Sequence, residues 1–154
     1  MYKMIVSGKS FEVGACACPD TGELKALKFL QNMHTNLRYS SYVQDFPKLL
    51  EHCAENGYKN LSSDLFHPTH KEKNNHPDDL SNVIYRFRKG PLRIACFIYG
   101  SKIILTNGYI KNSQKPPPEA IRLAIKIRNY YLENFKNDSK PGGKNGQPKP
   151  CRLV

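Results

Sequence analysis

Hydrophobic positions along the chain follow two rhythms, and the change between them divides it. Near the N-terminus, Tyr2–Ser7 is a short β-prone apolar stretch and predicts a strand. Phe11, Glu12 and Val13 suggest a second short strand within a turn-rich segment. Leu24, Leu27, Leu30 and Met33 then recur at helical spacing, behind an Asp20 cap with Glu23 as capping-box partner, and predict a helix from about Gly22 to His34. Val43, Phe46, Leu49, Leu50 and Cys53 repeat the stripe up to an Asn56-Gly57 stop. Pro47 either kinks this second helix or marks a late start near Asp45. Two helices so close together suggest an αα-hairpin. From Val83 the chain changes to strands. Val83–Arg88, Leu92–Tyr99 and Lys102–Ile110 are separated by Lys89-Gly90-Pro91 and by Gly100-Ser101, and predict a three-stranded antiparallel meander. Pro116-Pro117-Pro118 breaks the chain, and Pro118 suits the first turn of a last amphipathic helix. That helix carries Ile121, Ala124, Ile125, Tyr131, Leu132 and Phe135 on one face and Arg122, Lys126 and Arg128 on the other.

This order predicts an α+β fold: an N-terminal helical hairpin packed on a small antiparallel sheet, plus a C-terminal helix, with the other sheet face free. The chain reads as one domain over residues 1–135, followed by a basic, Lys/Gly/Pro-rich disordered tail at 136–154. Ser62–Asn82, with His67, His70 and His76, reads as a long exposed loop; no carboxylate or Cys stands at a clear ligand spacing from these histidines.

Composition sharpens the picture. Of 154 residues, 39% are hydrophobic, enough for a core, and no run approaches the roughly 18 apolar residues of a membrane span. The N-terminal apolar stretch is too short for a signal peptide, so a cytoplasmic protein without a membrane partner is expected. Five cysteines without a secretion signal read as reduced thiols. Cys16 and Cys18 form a CxC pair, but no second pair follows at zinc spacing, so neither metal nor cofactor is expected. The net charge of +11 is uneven: residues 1–82 carry 9 Lys/Arg against 10 Asp/Glu, and residues 83–154 carry 15 against 3. Such asymmetry suggests a surface for a polyanion, usually nucleic acid, or else a solvated face with a basic tail. On the first strand of the meander Arg86 and Arg88 share one side, with Tyr85 and Phe87 on the other.

The stretch VIYRFRKGPLRIACFIYGSKIILTNGYIKNSQKPPPEAIRLAIKIRNYY resembles the RelE/ParE toxin superfamily, in its HigB-like, phage-associated branch. The resemblance is carried by Arg86, Arg93 with Phe97, Gly108-Tyr109, Lys111, Gln114-Lys115, Pro117, Ala120-Ile121 and Ala124. Asn107 and Asn112 depart from the branch, where His and a second Lys are usual. Gly22–Gly57 is similar to the family's helical hairpin.

The resemblance implies a type II toxin: a ribosome-dependent mRNA endonuclease that needs no metal, paired with an antitoxin, expected to be an acidic helix-turn-helix protein. In such enzymes the 2′-hydroxyl attacks the adjacent phosphate. Arg86 and Arg93 are the candidates for the scissile phosphate, because guanidiniums stabilise the charge the phosphorane gains. Lys111 or Lys115 is the candidate base or second clamp, and Tyr109 the candidate stacking ring or proton donor. Arg88, Gln114, Arg122 and Lys126 are candidate RNA contacts. The plainer readings are solvent-facing strand residues for Arg86 and Arg93, RNA-backbone contacts for the lysines, and packing for Tyr109. Two other functions stay open: a gyrase-inhibiting ParE-like toxin, and a non-catalytic RNA-binding protein on the same scaffold.

Overall fold

The computed structural model of the protein describes residues 1–72, 79–111 and 115–135. The meander lies where alternation and glycine punctuation put it, as β4 (Val83–Lys89), β5 (Leu92–Tyr99) and β6 (Lys102–Ile110). Its residues are mostly β-branched or aromatic, which suits a pleated surface buried on both sides. Ahead of it come β1 (Tyr2–Ser7), β2 (Glu12–Cys16), the helices α1 (Lys25–His34), α2 (Ser40–Val43) and α3 (Phe46–Asn56), and β3 (Phe66–Lys71). A 3-10 turn at Asp79–Asn82 leads into β4, and α4 (Pro118–Asn134) follows β6.

The architecture corrects the expected fold. The chain is α+β, but it opens with two strands rather than with a helical hairpin. The sheet is neither small nor purely antiparallel: it has six strands in the order β1-β2-β6-β5-β4-β3, and β2 runs parallel to β6. A parallel pair needs a long crossover, and here everything from α1 to β5 lies between the two partners. Nor is the second sheet face free. Ala26 of α1 and Phe46, Leu49, Leu50, Cys53 and Ala54 of α3 cover one face, against Val13, Phe87, Ile94, Ile98 and Leu105. Ala120, Ala124, Ile127 and Tyr131 of α4 cover much of the other, against Tyr2, Ile84, Ala95, Phe97 and Ile104.

Smaller differences have local causes. α1 begins at Lys25, not Gly22, because Gly22 adopts a left-handed conformation (φ 74°). Glu23 does not cap the helix; its carboxylate pairs with Lys25 at 2.8 Å and with Lys28. Pro47 sits in the first turn of α3, where its missing N–H costs nothing. The segment read as an exposed loop contains β3, an edge strand. Its Pro68 and a register shift between Pro68 and His70 blunt the free edge. Arg128, expected on the polar face of α4, is 1% exposed. It donates to the Ser81 carbonyl through Nε, to Asn82 Oδ1 at 2.7 Å and to Asn129 Oδ1 at 2.6 Å. These bonds tie α4 to the turn that starts β4. The tail at 136–154 and His76 lie outside the described residues.

The helical layer seats closely on the sheet. A Cβ on Gly108 of β6 would lie 2.2 Å from the ring of Phe29. Gly108→Ala is therefore expected to force α1 off β6 and destabilise the fold by about 1–3 kcal/mol, read as a lowered denaturation midpoint with an unchanged m-value.

Candidate nucleic-acid interface

Antiparallel pairing places side chains of opposed residues on the same face of a sheet. Arg88 of β4 is opposite Arg93 of β5, and Arg93 is opposite Tyr109 of β6. These three residues form a row across adjacent strands, on the α4 side of the sheet. Arg86, two residues along β4, shares that face opposite Ala95. His67 of β3 is in turn opposite Arg86 and continues the face toward the sheet edge. Lys111 follows β6, and its backbone N–H donates to Pro91 O at 2.9 Å. Its position is thereby fixed beside the β4–β5 turn.

The face is graded in depth. Arg93 is 6% exposed and Tyr109 8%, so both are nearly covered, whereas Arg86, Arg88 and Lys111 are half-buried. Arg93 reaches along the sheet to the turn: its Nη1 donates to Gly90 O at 2.6 Å and Leu92 O at 3.1 Å. Its Nε is buried and has no hydrogen-bond acceptor among the described residues. Arg86 is held from the α3–β3 connection, donating to Ser63 O at 3.1 Å and Asp64 O at 3.4 Å. The Asp64 carboxylate stands 3.6 Å from Arg88 and is largely exposed, so that ion pair contributes little.

The electrostatics follow from this crowding. Burial, reinforced by the charges of Arg88 and Arg86, lowers Arg93 to about 10. Burial and then Arg88 also lower Arg86. Lys111 falls below the ordinary lysine value through desolvation and through the charges of Arg93, Arg86 and Arg88. Burial raises the Tyr109 hydroxyl, against the opposing pull of Arg93 and Arg86. Arg93, Arg86 and Lys111 are thus each lowered by burial first and by neighbouring guanidiniums second. Such a face can take an anion, a phosphate diester among them, at its half-buried rim of Arg86, Arg88 and Lys111.

The other candidates lie outside this row of strand residues. Lys115 is exposed ahead of α4, and Arg122 is exposed on that helix. Lys126 is drawn to Asp20, in the connection between β2 and α1, and pairs with it there. Gln114 lies outside the described residues. Sequence reasoning missed Asp64, which has no motif around it. It also missed the burial of Arg128, although that residue stands four after Ala124 and so falls on the apolar stripe of α4. Among the described residues no helix is long and apolar enough to cross a membrane. No family model matches the chain, and no curated protein shows significant sequence similarity to it.

The fold opposes the charged form of Arg93. Because its folded-state value is lowered, that cost is complete at neutral pH and is relieved only as pH rises through about 10. Arg93→Met is expected to leave stability within about 1 kcal/mol of the parent or to raise it, while abolishing the rise in melting temperature that added phosphate or sulfate gives the parent. A large loss of stability would identify Arg93 as a structural residue instead.

Proposed function

We propose that the protein is a metal-independent endoribonuclease, acting in the cytoplasm on ribosome-bound mRNA as the toxin of a toxin–antitoxin pair. One observation carries the nuclease reading: Arg93 Nε, buried without an acceptor at the centre of a cationic face that includes Arg86, Arg88 and Lys111. A guanidinium held by two backbone carbonyls behind a rim of further cations is a preorganised arrangement of the kind that stabilises charge as it develops on a phosphorane. The ribosome and the antitoxin rest on the sequence resemblance to the RelE/ParE superfamily; an acidic partner fits the charge of the face.

In this reading Arg86 and Arg93 hold the non-bridging oxygens of the scissile phosphate, with Arg88 on the neighbouring linkage. Lys111, in its neutral form, takes the proton from the 2′-hydroxyl. The 2′-oxygen bonds to phosphorus, the bond from phosphorus to the 5′-oxygen breaks, and the departing oxygen takes a proton from solvent water. The products are a 2′,3′-cyclic phosphate and a 5′-hydroxyl. The lowered pKa of Lys111 increases the neutral fraction available at working pH. Tyr109 stands opposite Arg93 across the β5–β6 pair, on the same face. Its near-complete burial favours a second reading, RNA binding without cleavage, which the same assay separates.

The test is mRNA incubated with purified ribosomes and the protein, with cut sites mapped by primer extension and 3′ ends analysed for cyclic phosphate. Cleavage by the parent is expected. Lys111→Arg keeps the charge but removes the base, and is expected to lower the rate about 100-fold or more while RNA affinity stays within about twofold. The parent rate should rise with pH and level off once Lys111 is neutral. RNA bound by the parent without cleavage at any pH would establish the second reading.

A further inference from the structure

Three aromatic or apolar side chains stand exposed among the described residues, and one of them adjoins the cationic face. Tyr42, in α2, is 37% exposed, and its ring lies on the β4–β5 turn. A Cβ on Gly90 would lie 2.3, 2.4 and 2.8 Å from three atoms of that ring, so the ring covers the glycine with its flat side. Gly90 (φ 55°) is also the residue whose carbonyl accepts from Arg93 Nη1 at 2.6 Å. The next residue, Pro91, accepts from the Lys111 N–H. One turn therefore carries Tyr42 on its outer side and anchors both Arg93 and Lys111. The ring is braced by backbone on one side and is 37% exposed.

We propose that Tyr42 is a stacking platform for a base of the bound strand, next to the phosphate held by Arg93. The inference rests on the nucleic-acid reading above and deepens it. A nucleotide bent over the β4–β5 turn would leave its phosphate on the guanidinium side and lay its base on the tyrosine. A rigid ring on a rigid turn does this at small entropic cost. Stacking is sequence-tolerant, because every base has a π-face. The platform therefore recognises single-stranded or unstacked RNA, not duplex.

The test compares a short single-stranded RNA with an abasic strand of equal length, by fluorescence anisotropy. Tyr42→Ala is expected to weaken binding of the RNA about tenfold and to leave the abasic strand unchanged; Tyr42→Phe is expected to match the parent. The protein contains no Trp, so Tyr42→Trp gives a single reporter, whose emission should be quenched by the RNA and not by the abasic strand. Equal RNA binding by parent and Tyr42→Ala overturns the inference and leaves the nucleic-acid reading intact. An equal loss on both strands also overturns it, since a damaged turn or surface would do that. A parent that binds neither strand removes both.

Discussion

A guanidinium placed inside the most buried strand of the sheet is the constraint from which the candidate site follows. All eight residues of β5 are buried. Its even positions from Ile94 to Ile98 face α1 and α3, and its odd positions from Ala95 to Tyr99 face α4. Arg93 is the first odd position. Its side chain escapes the apolar layer only by running toward the β4–β5 turn, where it finds the Gly90 and Leu92 carbonyls. Register does the rest: with Arg93 fixed, Arg88 and Tyr109 must flank it on the same face. A slip of one residue in either pairing would turn those side chains into the opposite layer and disperse the charge.

The parts of the fold visible in the sequence are those where a local rule and the tertiary outcome agree. β-prone runs bounded by Gly90 and Gly100 mark the meander, and the leucine stripes mark α1 and α3. The parts that were not visible depend on partners distant in sequence. Nothing local says that Glu12–Cys16 will lie parallel to Lys102–Ile110, and Gly14 within it looks like a turn residue. In the folded chain the ring of Tyr2 lies over Gly14, where a Cβ would sit 2.2 Å from the hydroxyl; the glycine is a close-approach site in a strand. β3 was hidden because FHPTHK is polar and contains proline, which only an edge strand tolerates. Six strands with helices on both faces could not be counted from a pattern that showed three strands clearly.

The candidate site was legible to a similar degree. The two-residue spacing of Arg86 and Arg88 places them on one side of β4 without further knowledge. That Arg93 and Tyr109 join them depends on which residues the two turns bring opposite one another. Lys126 was grouped with them on charge alone, and its ion pair with Asp20 shows why charge does not locate a residue. Tyr42 comes from a short helix with no sequence signal for its role; only the contact with Gly90 brings it to the turn.

Among the described residues three cations are buried, and each is compensated differently. Lys102 lies 3.4 Å from the Glu12 carboxylate and over the Tyr2 ring, an ion pair closed within the fold. Arg128 spends all three of its donor groups on Ser81, Asn82 and Asn129. Each is explained by what it holds together. Arg93 has no carboxylate against it, its neighbours Arg86 and Arg88 share its sign, and one of its N–H groups has no acceptor. Burying a charge without compensation is costly, and a chain that needed only a stable strand would place an apolar residue there, as it does at Ala95, Phe97 and Tyr99. In the proposed reading the counter-charge is the phosphate of the bound strand, which meets the half-buried rim of Arg86, Arg88 and Lys111 first.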